Sequence, residues 1–297
     1  MENFNEILEA AKGYTAKVAV AAAHDKEVLS ALKKASEINL VTPILVGDKI
    51  KIEEYSNELN FDLTDIEIID EADIKLASEI SVKLVHDNKA QVVMKGLVDT
   101  SIFLKAVLNK EFGLRTSNLL SHAAVFESSM YHKLLFVTDA AMNLLPNVDQ
   151  KEQIIENIVD LAHSLHMEEP KVAVICAKEK VNPKMQATVD AAELVERNKS
   201  GNIKGCLVAG PLALDNAISK EAAKHKGIVD PVAGDADILL MPSIEAGNVL
   251  YKSLAFLTES KNAGILLGAA APIVLTSRAD SDDAKLNSIA LAVMHAN

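Results

Sequence analysis

The stretch PIVLTSRADSDD (272–283) sets a serine, an arginine and three aspartates directly behind a β-branched apolar run. Pro272 to Leu275 reads as a buried strand bounded by turn residues, with Ser277 and Arg278 at its carboxyl end. The same arrangement recurs along the chain: His24-Asp25, Lys95-Gly96, Asp139, Lys178, Gly210-Pro211 and Pro242-Ser243 each follow an apolar run. In sheets of parallel strands, ligands collect beyond the carboxyl ends, so these residues are the first candidates for a site. Familiar phosphate cradles are absent: no G-x-x-x-x-G-K-[ST] occurs, and no G-x-G-x-x-G follows a strand. A bound anion must therefore be held by other means. With no G-x-S-x-G elbow, Ser277 is not marked as a hydrolase nucleophile.

The elements that must position these residues alternate. Strand-like runs at 17–25, 43–48, 66–70 and 90–96 are separated by helical patterns such as 26–39 and 72–88, and a second series lies at 123–127, 134–140, 171–177, 205–210, 237–243 and 272–277. This is α/β order with a largely parallel sheet. At 297 residues the chain is long enough for two cores of ordinary domain size. A formal charge of −12 argues against a nucleic-acid surface and for a small-molecule partner. The opening MENFNEILEAAKGY carries acids where a signal peptide carries a basic stretch, and the uncharged run 262–277 is broken by Gly264, Gly268 and Pro272 and is too short for a membrane span. Cys176 and Cys206 adjoin apolar runs and read as buried free thiols, which suits a reducing, cytoplasmic setting.

Longer motifs carry a resemblance. VVMKGLVDTSIFLKAVLNKEFGLRTSNLLSHAAVFE (92–127), VTDAAMNLLPN (137–147), VNPKMQATVDAAEL (181–194), GPLALDNAI (210–218), IEAGNVLYKSL (244–254) and VLTSRADS (274–281) together resemble the phosphate acetyl/butyryltransferase family, most closely its butyryltransferase branch, nearly end to end and in order. The resemblance implies reversible conversion of acyl-CoA and phosphate to acyl phosphate and CoA. Coenzyme A and phosphate would be substrates, with no metal or redox cofactor. It also implies two α/β domains with a cleft between them, in the fold shared with isocitrate and isopropylmalate dehydrogenases. The expected division is 1–117 plus 271–297 for domain one and 118–270 for domain two, in a homodimer or higher homo-oligomer.

On this resemblance Ser277 and Arg278 are catalytic. Arginine's planar fork makes two parallel, charge-assisted hydrogen bonds to phosphate oxygens, and Ser277 would donate to the thioester or acyl-phosphate oxygen as charge grows there. Asp280 or Ser281 can cap a helix read over 283–296, with Asp282 and Asp283 in its first turn, where carboxylates suit the dipole. Alternatively one of these acids takes the proton of CoA's thiol. The acetyl-specific relatives place a catalytic aspartate seven positions after the serine, but Ala284 stands there in this chain. Asp283 is the candidate base, although one residue turns it by about 100° on a helix; Asp280, Asp282 or a residue elsewhere are the alternatives.

Lys95, Gly96 and Thr100 of the first motif are candidate substrate-binding residues: glycine permits close backbone approach and lysine can meet phosphate, unless the turn is a simple strand-to-helix link. The arginine of a TLRPAV-like stretch in acetyl-specific relatives has only Lys105 for a counterpart, in IFLKAV. Arg115 is the preferred second anion-binding residue, against a surface role at a helix end. Asn248 and Lys252 in AGNVLYK are further candidates, with a structural turn as the alternative. His163 and His166 have i,i+3 spacing without further marked ligands, so a metal role is not expected. His122 and His132 could act as bases but read better as packing or surface residues, and Asp215 as a helix-starting acid. A dehydrogenase of the same fold would need an arginine-rich substrate site, yet arginine occurs only at 115, 197 and 278. Phosphate acetyltransferase activity and a non-catalytic acyl-CoA binder are the remaining alternatives. No residue identifies the preferred acyl chain, since one methylene is worth only about 1–3 kcal/mol.

Overall fold

The structure, a computed structural model, describes residues 1–276 and 280–297. The chain forms two compact units, one of residues 4–118 and 263–297, the other of residues 1–3 and 119–262.

The first unit holds α1 (Phe4–Ala11), β1 (Ala16–Ala21), α2 (Lys26–Glu37), β2 (Val41–Gly47), α3 (Lys49–Glu58), β3 (Glu67–Asp70), α4 (Ile74–His86), β4 (Val92–Lys95) and α5 (Thr100–Val107). The second contributes β5 (Ser121–Glu127), β6 (Leu135–Thr138), α6 (Val148–Ser164), β7 (Lys171–Ile175), α7 (Gln186–Lys199), β8 (Leu207–Leu212), α8 (Leu214–Ile218), α9 (Lys220–His225), β9 (Ile238–Leu240) and α10 (Ile244–Leu257). The chain then runs through β10 (Lys261–Leu267), β11 (Ile273–Val274) and α11 (Asp282–His295), which complete the first unit.

Strands of the first unit run in the order β3-β2-β1-β4-β11-β10, all parallel except the β10–β11 pair. Their cores are nearly continuous apolar runs, Val18-Ala19-Val20 and Val92-Val93-Met94 among them, as a sheet covered on both faces requires. Amphipathic helices cover it: α2 buries Leu29 and Leu32, α4 buries Val82 and Val85, and α11 buries Ile289 and Leu291 while packing on α1 and α2. Each crossover helix begins with the same chemistry. Asp25, Asp48 and Asp73 accept hydrogen bonds from the amides of Val28, Lys51 and Lys75, respectively, satisfying donors that the first turn leaves open.

In the second unit the order is β5-β6-β9-β7-β8, parallel except for the β5–β6 hairpin. Its core joins Phe126, Val137, Ala173 and Leu239, with Tyr251 and Leu254 of α10 packed at its margin. Gly247 lets α10 approach closely, because a Cβ there would fall 2.4 Å from the Asp139 carbonyl oxygen. Among the described residues no helix is long and apolar enough to cross a membrane.

One strand was not expected. β10 lies in the run read only as a glycine-broken apolar stretch, since Lys261, Asn262 and Gly264 mask its pattern. Pairing decides it: Ile265 and Leu266 lie opposite Val274 and Ile273, and the Gly264 amide donates to Ser288 Oγ at 2.9 Å. Expected strands at 134–140 and 237–243 are shorter, at 135–138 and 238–240.

Candidate active site

Three neighbouring parallel strands of the first unit, β1, β4 and β11, end at one level. Ala21 is in register with Lys95, and Met94 with Val274. The residues that follow them, Asp25 after β1, Lys95-Gly96 at the end of β4 and Thr276 after β11, line one small cavity with Glu27, Val28 and Lys285. Thr276 directly precedes Ser277 and Arg278, which lie outside the described residues.

Gly96 is dictated by a close approach. Its amide donates to Ala21 O at 2.8 Å and the Leu97 amide to Ala22 O at 2.9 Å, and a Cβ would lie 2.6 and 2.4 Å from those two carbonyl oxygens. Lys95 is buried, and its ammonium donates to the carbonyls of Gly96 at 3.2 Å and Val98 at 3.1 Å. A buried cation beside a turn with little room for side chains suits an anionic group that lies against backbone.

The start of α11 closes the other side. Ser281 is its N-cap, accepting from the Ala284 amide. Asp282 accepts from Ser30 Oγ at 2.5 Å. Asp283, with 77% of its side chain exposed, pairs with Lys34 at 2.9 Å and is not among the residues lining the cavity. That hydrogen bond raises the pKa of Lys34. Ala284 is buried. Lys285 turns inward, 2% exposed, donating to Asp280 O at 2.5 Å and pairing with Glu27 at 3.4 Å.

The remaining candidates are not among the residues that line this cavity. Thr100 is the exposed first residue of α5, behind Asp99. Arg115 is exposed between α5 and β5 and pairs with no carboxylate among the described residues. Asn248 and Lys252 belong to α10 of the second unit; Asn248 donates to Ala140 O at 3.2 Å, and the Lys252 ammonium stands 5.7 Å from the Phe256 ring centre. His24, buried after β1, has its pKa lowered by burial first and by Lys51 second, and its Nδ1 accepts from the Asp48 amide at 3.3 Å. Asp139 is engaged by the amides of Ala141, Met142 and Asn143, which makes it a loop anchor. His132 pairs with Asp235 in a surface network, and Asp215 stands in the first turn of α8.

His163 bonds Gly205 O at 2.8 Å, and no group of three or more potential metal-ligating side chains occurs among the described residues. Both cysteines are free and buried, and burial pushes Cys176 to about 11 and Cys206 to about 12. Glu27, Val28, Thr276 and Lys285 are the cavity residues that sequence reasoning missed. A trace existed for Lys285, since a lysine closing the first turn of a helix opposes the helix dipole.

Comparison with known proteins gives the family. The sequence matches the family described as Phosphate acetyl/butaryl transferase over residues 3–82 and 71–293. It is 53% identical to the phosphate butyryltransferase of Clostridium beijerinckii over 99% of this chain and 97% of that protein. Its structure superposes with a TM-score of 0.83 on a branched-chain phosphotransacylase of Enterococcus faecalis, at 33% identity and covering 95% of this chain and 99% of the other. A 4-hydroxythreonine-4-phosphate dehydrogenase of Klebsiella pneumoniae shares the fold alone, with a TM-score of 0.53 at 14% identity, covering 95% and 99% of the two chains. The family match and the similarity over nearly the full length show that the chain belongs to the phosphate acetyl/butyryltransferase family and is an acyltransferase working between coenzyme A and phosphate.

Proposed function

We propose that the chain interconverts butyryl-CoA, or a similar short or branched acyl-CoA, and phosphate with the acyl phosphate and CoA. The observation that carries the site assignment is the cavity at the ends of β1, β4 and β11, where buried Lys95 and the close-packed Gly96 meet Thr276, the residue before Ser277 and Arg278. Arg278 would grip the phosphate bidentately, with Lys95 as a second charge, and Ser277 would donate to the oxygen that gains charge as the tetrahedral centre forms. Thr100, Arg115, Asn248 and Lys252 are proposed to contact other parts of the substrates. Asp283, exposed and paired with Lys34, is the weakest member of the proposed set, and its removal tests the assignment of the base directly.

CoA release from acetyl-, propionyl-, butyryl-, isobutyryl- and isovaleryl-CoA, with and without phosphate, tests this reading. Release should require phosphate, peak at four or five carbons and collapse in Arg278→Ala. Binding of acyl-CoA without turnover in the wild type would overturn it in favour of a non-catalytic binder, and a peak at acetyl-CoA would favour the acetyltransferase alternative. The proposed chemistry needs no metal or redox cofactor, so exhaustive chelation should leave the rate unchanged. Two buried free thiols accord with a proposed cytoplasmic location.

We also propose that the protein is a homodimer through α10. Only Gly247 of its 14 residues is buried, while Val249, Phe256 and Leu257 are 65%, 58% and 82% exposed. Leu144 and Leu145, also exposed, flank the helix start, where Ile244 N donates to Leu144 O at 2.9 Å. Exposed large apolar side chains grouped on one helix and beside its start are what an interaction site presents. A second copy can match such a patch with itself about a twofold axis. Light scattering should give twice the 31.9 kDa chain mass for the wild type and a monomer for Phe256→Glu; a monomeric wild type would refute the assignment.

A further inference from the structure

Lys285 is poorly explained by stability. It is 2% exposed and closes the first turn of α11, where the helix dipole already favours the acids Asp282 and Asp283. Burying an ammonium is costly unless its partners are well placed. Its carboxylate partner, Glu27, is 3.4 Å away with 57% of its side chain exposed, which is weak compensation. The closest partner is a backbone carbonyl, that of Asp280 at 2.5 Å, three residues beyond Ser277 in sequence. Ammonium, carbonyl and carboxylate therefore connect three segments, two of which line the cavity: the residue before the α11 cap, the first turn of α11 and the first turn of α2.

We propose that Lys285 is a positioning residue for acyl transfer, its buried ammonium fixing the Asp280 carbonyl and Glu27 so that the wall shared with Lys95, Gly96 and Thr276 keeps its shape. The inference rests on the site reading above. The cation sits where a neutral side chain of similar length, such as methionine, would fill the space without desolvating a charge. What methionine lacks are the donors that hold the carbonyl and the carboxylate at once. Arginine retains them with altered geometry.

The experiment compares Lys285→Met, Lys285→Arg and Glu27→Gln with wild type, and uses Lys95→Met as an independent probe of the site. Phosphate-dependent CoA release gives kcat and both KM values, and thermal unfolding shows which variants are folded at the assay temperature. Misplacement of the wall by about 1 Å should lower kcat of Lys285→Met by about 10- to 100-fold. KM for acyl-CoA should stay within about threefold, with Lys285→Arg recovering part of the loss and Glu27→Gln falling between. A folded Lys285→Met with kcat near wild type would overturn the proposal, as would a loss of activity that merely follows the unfolded fraction. Should Lys285→Met not fold, Glu27→Gln decides: an unchanged kcat overturns the proposal and a reduced one supports it. An inactive Lys95→Met beside an active Lys285→Met removes only the positioning role, whereas a fully active Lys95→Met removes the site reading itself.

Discussion

Replacing Gly96 by alanine puts the strand-end geometry to a direct test. The added Cβ would stand 2.4 Å from Ala22 O and 2.6 Å from Ala21 O, both backbone atoms of the segment after and at the end of β1. Comfortable contact requires roughly 1 Å more, so the turn after β4 must retreat or β1 must bend. Overpacking of this kind costs about 1–3 kcal/mol. The retreat also stretches the bonds from Gly96 N to Ala21 O at 2.8 Å and from Leu97 N to Ala22 O at 2.9 Å, and losing one adds about 1 kcal/mol. A destabilisation of about 2–4 kcal/mol follows, and because Lys95 is carried with the turn, kcat should fall by about 100-fold even where the protein is folded. Gly201→Ala is the matched control: φ is +80° but nothing lies within 4 Å of the new Cβ, so only about 1 kcal/mol of backbone strain is expected, with turnover intact. Urea unfolding followed by circular dichroism, beside phosphate-dependent CoA release, reads both effects. A Gly96→Ala protein as stable and as active as Gly201→Ala would refute the close-approach reasoning and the placement of the site beside it.

Three further expectations concern the second unit. Lys151 and Asp190 form a buried ion pair at 2.6 Å, so Lys151→Met should cost about 3–5 kcal/mol in urea unfolding by stranding the carboxylate, while adding Asp190→Leu should recover most of it. Burial acts to raise the Asp235 pKa, but hydrogen bonds from Lys171 and His132 and the charge of Lys133 outweigh it and hold the carboxyl well below the usual range. A depressed folded pKa contributes stability above the unfolded value of about 3.9 and loses it as pH falls towards the folded one. Asp235→Asn should therefore be less stable than wild type at pH 7, by about 2 kcal/mol, with the difference shrinking below about pH 4; a difference independent of pH would contradict this. Burial raises both thiol pKa values, so a disulfide reagent at pH 8 should label neither Cys176 nor Cys206 in the native protein within minutes and both in urea, and prompt native labelling would contradict the burial.

Much of the fold could be read from local pattern. The β1, β2 and β4 runs declare strands, because burial on both faces of a sheet demands apolar residue types nearby in sequence, whereas the Asp25, Asp48 and Asp73 caps were recognised only in the structure. Lys95-Gly96 was legible for the same reason, as a polar pair ending an apolar run, whereas the packing of Gly96 against the Ala21 and Ala22 carbonyls comes from the structure. β10 was not legible, since Gly264 and Asn262 interrupt its pattern and only its antiparallel pairing with β11 makes it a strand.

What only tertiary structure decided is where the charged side chains near the cavity point and which of them meet. By sequence alone Asp282, Asp283 and Lys285 were neighbours in one helical turn. Packing of α11 on α2 sends Asp283 outward to Lys34 and Lys285 inward to Glu27, a pairing across 258 residues that no local rule contains. Residue types and their local spacing determined the elements and the class of chemistry, because those depend on interactions a few residues long. The orientation of each charge depended on the helix packed opposite it, because desolvation is set by whatever surface arrives from elsewhere in the chain.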